Sequence, residues 1–339
     1  MRRKGYLIGS FAAFGMLLLI IDSKTAIAGA VSGIELCLKT VIPSLFPFFV
    51  LSGMLTSSML GSKSKLLAPI GWLCGIPAGA ESIFLTGLLG GYPLGAHTIA
   101  NACRTGQLSL SDGQRMAAFC SNAGPAFIFG MAGAMFHAPW IPWALWGIHI
   151  SGAVFTAMIL PRSGRGTVTV NKAAPMSVSA AVRSSISAMA NVCGWVVLFR
   201  VVIAFLERWL LWLFPEVAQV LISGLLELAN GCCALDRVPN SGLRFIICSG
   251  MLAMGGLCVA MQTASVCQGV RLRLYFPGKI VQSLFCVFLS TVVQYSVPEF
   301  DTASHSVDIL VLSLLFLFFG AWILRKMQKT SSNLTPVGV

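Results

Sequence analysis

The sequence predicts an all-α polytopic membrane protein: about eight transmembrane helices plus two re-entrant hairpins, arranged as inverted-topology repeats. Three observations carry this expectation. Of 339 residues, 56% are hydrophobic and only 10% charged, with a mean hydropathy of +0.84, whereas soluble domains carry about 25% charge. Apolar runs near twenty residues, each long enough to cross a bilayer as a helix, recur along the whole chain. Lysine and arginine gather on one side of the topology that these runs define.

The first element is Arg2-Arg3-Lys4 followed by an apolar run to Ile21. It reads as a span near 5–21 or as a signal peptide, with Ala26-Ile27-Ala28 as an A-x-A-like cleavage site, and the many spans that follow favour an uncleaved span. Further spans are expected near 41–60, 115–136, 142–160, 188–212, 244–268, 279–297 and 307–324. Two apolar, glycine-rich segments, 78–100 and 218–235, do not fit as simple crossings and are read as re-entrant hairpins. The organisation is then 1–40, a first span and an interfacial segment; 41–160, a first repeat; 161–187, a cytoplasmic linker; 188–298, a second repeat; and 299–339, a last span with a basic tail. Both termini are cytoplasmic.

Charge tests that arrangement. Seventeen of the 23 basic residues fall on the cytoplasmic side: Arg2, Arg3, Lys4, Lys63, Lys65, Arg104, Arg115, Arg162, Arg165, Lys172, Arg183, Arg271, Arg273, Lys279, Arg325, Lys326 and Lys329. Lys24, Lys39, Arg208, Arg237 and Arg244 remain outside, with Arg200 inside a span. Asp22, Glu35, Glu207, Glu216, Asp236, Glu299, Asp301 and Asp308 are all external. The net charge of +12 is thus loop charge obeying the positive-inside rule, and no nucleic-acid partner is expected. Eleven cysteines without a C-x-x-C pair point to small-residue packing, with no zinc site or disulfide framework.

The two halves align: 41–60 with 188–212, 78–100 with 218–235, 115–136 with 244–268, and 142–160 with 279–297. Local echoes are Gly87-Leu88-Leu89 with Gly224-Leu225-Leu226, and Arg115…Cys120-Ser121 with Arg244…Cys248-Ser249. The first unit begins outside and the second inside. Inverted repeats with interrupted helices at matching positions point to a transporter site near the bilayer midplane.

Irregular backbone at membrane depth survives only where protein or a water-lined cavity satisfies it. Gly90, Gly91 and Tyr92 are expected to form the first hairpin tip, with Pro93 opening the returning helix. "SNAGP", 121–125, repeats the design: Ser121 or Asn122 as cap, Gly124 at the break, and Pro125 opening a half-helix. Such helix starts aim N–H groups and a positive dipole end inward, favouring an anionic ligand. In the second hairpin Glu227 is a candidate for a coupling proton or cation, and Asn230-Gly231 is the expected tip. Glu81 is placed either at a similar site or at the interface. Arg200 is expected either to pair with a substrate carboxylate or to form an ion pair with Glu227 or Glu207. His97 is the one histidine lying in a hairpin; His137, His149 and His305 are isolated, and no metal-ligand pattern occurs. No Walker A motif, nucleophile elbow or catalytic carboxylate pair is present, so no enzyme activity and no cofactor are expected.

The stretch "GLLGGYPLGAHTIANACRTGQLS…RMAAFCSNAGPAFIFG", 87–130, with "GLLELANG", 224–231, resembles the YlbJ (SpoVV)-type sporulation integral membrane proteins, within the wider Gate or nucleoside-recognition membrane family. The resemblance runs from about the second span onward. It implies a membrane protein of endospore formers that moves dipicolinic acid, a small organic anion, across the outer forespore membrane. The alternatives are transport of another solute such as a nucleoside, or a non-transporting scaffold in spore assembly.

Overall fold

The computed structural model describes residues 2–59, 64–160, 176–297, 300 and 306–332. The expectations for Lys63, for the linker with Arg162, Arg165 and Lys172, for Glu299, Asp301 and His305, and for the tail beyond 332 lie outside the described residues. So do those for the side chains of Arg2, Arg3, Lys4 and Lys329.

Every regular element among the described residues is helical: α1 (Arg2–Ile21), α2 (Ser23–Leu36), α3 (Ile42–Met59), α4 (Ala68–Cys74), α5 (Glu81–Leu89), α6 (Leu94–Arg104), α7 (Leu110–Ala117), α8 (Pro125–Phe127), α9 (Ile141–Ile159), α10 (Val178–Trp209), α11 (Glu216–Leu226), α12 (Leu228–Cys233), α13 (Ser241–Met254), α14 (Gly256–Val266), α15 (Tyr275–Ser296) and α16 (Ser306–Ser332). Six stretches among them are long and apolar enough to cross a bilayer: Ser23–Met59, Ile141–Ile159, Val178–Trp209, Ser241–Val266, Tyr275–Ser296 and Asp308–Met327.

This differs from the sequence reading in two places. A span boundary near 41 is absent: α2 and α3 form one run of 37 residues, joined by a π turn over Cys37–Val41. That turn lies just ahead of Pro43, where the i→i−4 donor is missing and ordinary helix cannot close its hydrogen bond. The segment 115–136 breaks where the sequence reading placed a break, at 121–125, with irregular backbone between Ala117 and Pro125 followed by α8, a π turn over Ile128–Ala132 and a 3₁₀ turn over Gly133–Met135. The segment 244–268 breaks at Gly255 and Gly256, whose φ of 75° and 78° leave the helical region for one that glycine enters without steric cost.

The helix order recurs. A long helix (α2–α3, then α10) precedes a pair of half-helices (α5–α6, then α11–α12), a broken helix (α7–α8, then α13–α14) and another long helix (α9, then α15). In both halves a side-chain cap opens the broken helix, Ser109 on the Asp112 N–H at 3.0 Å and Asn240 on the Leu243 N–H at 2.8 Å. The long helices pack on their counterparts, α10 against α2 and α3, and α9 against α15. Gly29 and Gly33 of α2 let α10 approach closely, since a Cβ at either would meet the Val201 or Val197 backbone at about 3 Å. Phe155 and Phe285 stack at 4.2 Å between α9 and α15.

Two basic residues read as loop charges are interior. Arg115 is 2% exposed and spreads its guanidinium over the carbonyls of Gly75 (3.0 Å), Cys74 (2.8 Å), Ala157 (2.8 Å) and Leu160 (3.3 Å). It thereby satisfies the orphan carbonyls, and sits at the negative dipole ends, of α4 and α9 together. Arg244 does the same in the second half, donating to Val238 and Met135 carbonyls. The second interior residue, Lys279, belongs to the site. Outward faces are apolar, as with Leu315, Phe316, Phe318, Phe319 and Trp322 of α16, and suit contact with lipid.

Candidate functional site

Each pair of half-helices closes on a glycine contact. At 9 and 11 residues, α5 and α6 extend about 14 and 17 Å at 1.5 Å per residue, near half the bilayer core of about 30 Å. Gly87 and Gly95 face each other across them, and the Cys120 carbonyl from the first broken helix wedges against both; a Cβ on Gly95 would lie 2.8 Å from Gly87 Cα. The tip holds Gly90, Gly91, Tyr92 and Pro93. Gly91 takes φ 74°, and its Cα side abuts Gly124 of the neighbouring break, leaving 2.9 Å between a Cβ and the Gly124 nitrogen. Pro93 is the N-cap of α6 rather than its first helical residue, a one-residue shift at a helix end.

The second pair closes the same way, Gly231 against Gly224, with the Met251 sulfur wedged where Cys120 sits in the first. Its turn is not at Asn230-Gly231 as the sequence reading placed it. The turn is Glu227, the one residue between α11 and α12, with extended φ/ψ of −144°/118°. Its carboxylate accepts from the Ala229 N–H (3.1 Å), the Asn230 N–H (2.7 Å) and Asn230 Nδ2 (2.7 Å). A carboxylate that caps its own helix fixes the turn one residue upstream, while Gly231 supplies close packing.

At the first break neither Ser121 nor Asn122 caps the half-helix. Gly124 holds the N-cap position before Pro125 without a side-chain bond; the Asn122 amide is engaged elsewhere, and Ser121 takes part through its backbone carbonyl. Asn122 Nδ2 donates to the Phe119 carbonyl at 2.8 Å, and Asn122 Oδ1 accepts from Gln282 Nε2 at 3.0 Å. The Ser121 carbonyl accepts from Lys279 Nζ, which also donates to Gln282 Oε1 at 2.8 Å and lies 5.4 Å from the centroid of the Tyr92 ring. His149 Nε2 accepts from the Ala123 N–H at 3.1 Å. Tyr92 reaches across to the second half, its hydroxyl donating to the Leu252 carbonyl at 3.2 Å beside Gly255.

All four interrupted elements thus meet. A cavity of about 40 Å³ lies between them, lined among others by Gly91, Tyr92, Gly124, Glu227, Ala229 and Gln262. Behind the first tip opens a much larger polar crevice of about 640 Å³ between α6 and α10, with His97, Asn101 and Arg104 on one wall and Ser184, Ser187 and Asn191 on the other. Pro93 and Phe49 line the crevice, while Gly91 and Tyr92 line the cavity, so one hairpin tip divides the two.

Of the sequence candidates, Gly91, Tyr92, Gly124 and Glu227 line the cavity and Asn122 lies in the polar cluster beside it. Ser121 joins that cluster through its carbonyl. Gly90 packs on Leu94 and Ser52, and His97 faces the crevice. Arg200 is engaged outside the cluster, pairing with Glu207 at 2.9 Å and donating to Ser32 Oγ at 3.2 Å. Glu81 is 6% exposed and accepts from the Gly79 N–H at 2.7 Å, next to α4. Lys279, Gln282, His149 and, apart from Pro93 and His97, the residues of the crevice walls were not among the candidates. The available signals were Lys279 and Gln282 on one helix face at i, i+3, and the i, i+4, i+7 rows His97/Asn101/Arg104 and Ser184/Ala188/Asn191. No group of three or more metal-ligating side chains occurs among the described residues.

Fold and site together define a polytopic helical membrane protein whose interrupted helices surround an interior polar cluster. The chain is 24% identical over 326 residues, 82% of this chain and 80% of the other, to the sporulation integral membrane protein YlbJ of Bacillus subtilis (strain 168). No family model and no solved structure matches it.

Proposed function

We propose that the chain is a transporter needed for endospore formation that carries a small organic anion across the outer forespore membrane, the anion being dipicolinic acid as the resemblance implies. The observation that carries this reading is the meeting of two half-helix pairs and two helix breaks on one small cavity, at the inner end of an open polar crevice. Half-helices too short to cross, turned back at glycine contacts, support re-entrant hairpins, and the doubled helix order supports the inverted repeat. Ligand pockets typically measure about 300–1,000 Å³, so a cavity of about 40 Å³ fits a closed site. Entry then requires the first tip to separate from the second. Glu227, turned into this cavity, is our candidate for a coupling proton or cation.

Full-length protein in liposomes is expected to take up labelled dipicolinate, with unlabelled dipicolinate competing and nucleosides not competing. Gly91→Leu places a side chain against the Gly124 backbone at φ 74° and is expected to abolish uptake in protein that still inserts. Uptake competed by nucleosides would reassign the substrate. Normal sporulation with Gly91→Leu and no uptake by the wild type would favour a scaffold.

A further inference from the structure

The most exceptional group in the interior is the ammonium of Lys279. It is 0% exposed, at the start of α15. Its acceptors are the Ser121 carbonyl, Gln282 Oε1 and the face of the Tyr92 ring, all neutral. The ion pairs Lys39–Glu35, Arg200–Glu207 and Arg208–Asp22 do not involve Lys279. A buried charge without an opposite partner costs several kcal/mol, and a leucine or methionine would fill the space without that cost.

The neighbourhood has donors to spare. His149 Nε2 is occupied as an acceptor, so the neutral ring carries its proton on Nδ1, and Nδ1 is a buried atom with no partner. Gln282 spends its amide on Asn122 Oδ1 and the His149 carbonyl. A pocket with an unpaired ammonium, a spare N–H and no carboxylate of its own is complementary to an anion. The one acidic group nearby, Glu227, lines the cavity from the second tip and caps α12. Between the ammonium and the cavity stands the Tyr92 ring. It borders the cavity and also lies over Lys279, held at its far end by the single hydroxyl bond to Leu252.

We propose that Lys279 is the counter-charge for a carboxylate of the transported ligand, covered by the Tyr92 ring when the site is empty and uncovered when the first hairpin tip moves. The ligand class is a small carboxylate anion, which takes over the ammonium's bond to Tyr92 while Ser121 and Gln282 keep theirs. The inference rests on the transport reading above and adds the residue that recognises the charge.

The test is equilibrium binding of pyridine-2,6-dicarboxylate and of its neutral diamide to full-length protein in nanodiscs, for the wild type, Lys279→Met and Lys279→Gln. Methionine keeps the volume without the charge. Glutamine keeps a donor for the Ser121 carbonyl and serves if the methionine variant does not fold. The wild type is expected to prefer the dianion strongly over the diamide. Either variant is expected to lose about thirty-fold or more in dianion affinity, the scale of a charge-assisted contact, while its melting temperature stays within a few degrees. Undiminished dianion binding by a folded variant overturns the role of Lys279 and leaves transport standing. Absence of dianion binding by the wild type overturns the transport reading and this inference together.

Discussion

Gly231→Ala is expected to destabilise the protein, whereas Gly194→Ala stabilises it. In α12 a methyl at 231 would stand 2.7 Å from the Gly224 nitrogen and overlap the Gly224 Cα. Carbon atoms prefer about 3.5–4.0 Å, so the two half-helices must part by roughly 1 Å, and the obstacle is backbone that cannot rotate aside. Overpacking of this kind costs about 1–3 kcal/mol, set against a helix-propensity gain of about 1 kcal/mol. Gly194 lies on the outer face of α10 with nothing within 4 Å of an added Cβ, so there only the propensity gain remains. Gly224→Ala falls between them, because the atom it meets first is the Met251 sulfur, on a flexible side chain. For a chain of this length about 1 kcal/mol moves the melting temperature by roughly 2 °C. Thermal unfolding in detergent should therefore fall by up to about 4 °C for Gly231→Ala and rise by about 2 °C for Gly194→Ala. Equal shifts at the two positions would refute the glycine contact as the device that closes the second hairpin.

Arg115→Met leaves the carbonyls at the ends of α4 and α9 without their shared donor; a loss of about 3 kcal/mol or more is expected, read as a lost monodisperse peak in size-exclusion chromatography. Arg115→Lys should rescue less than half of it, since one ammonium cannot reach carbonyls on two helices. Arg200 and Glu207 have side chains 19% and 34% exposed. Their double-mutant cycle should give a coupling of only about 0.5–1 kcal/mol after screening, with uptake unchanged in Arg200→Ala, and lost uptake would return Arg200 to the site. The native thiols Cys103 and Cys233 are at least partly accessible near the bases of the first and second hairpins. If the hairpins enter from opposite faces, an impermeant maleimide labels Cys103 in inverted vesicles and Cys233 in right-side-out ones, and labelling from one side only would dismiss the inverted repeat.

How far the sequence discloses this architecture depends on whether a feature is local. Gly90-Gly91-Tyr92-Pro93 and Ser121-Asn122-Ala123-Gly124-Pro125 interrupt apolar runs, and the structure breaks its helices at both. Glu227 stood out as an acid in an apolar stretch, although its role as a cap moved the turn away from Asn230-Gly231. That choice depends on a carboxylate folding back on the next two N–H groups, which competes with a glycine turn at similar local cost. Arg115 and Lys279 were misplaced for a different reason. Each lies at the edge of an apolar run, where a cytoplasmic loop charge and a buried clamp share the same local composition. Their partners, Ala157 and Leu160 for one and Ser121 and Tyr92 for the other, come from distant segments. The crevice was missed because its walls are two amphipathic rows on separate helices, and only the packing of α6 beside α10 joins them.

Tyr92 ties these long-range features into one device. It stands on the first hairpin, yet its ring covers Lys279 of α15 and its hydroxyl holds the Leu252 carbonyl of α13, both in the second half. Gly91, one residue earlier, is locked against Gly124 of its own half. The first tip therefore cannot swing without releasing contacts to both halves together. A cavity of about 40 Å³ has room for about three waters at roughly 10–15 Å³ each, so a larger ligand needs that swing. Closely packed interfaces of this kind switch between discrete arrangements rather than deforming continuously. If the proposed site opens, the same packing makes opening a concerted step, in which uncovering the ammonium and enlarging the cavity occur together.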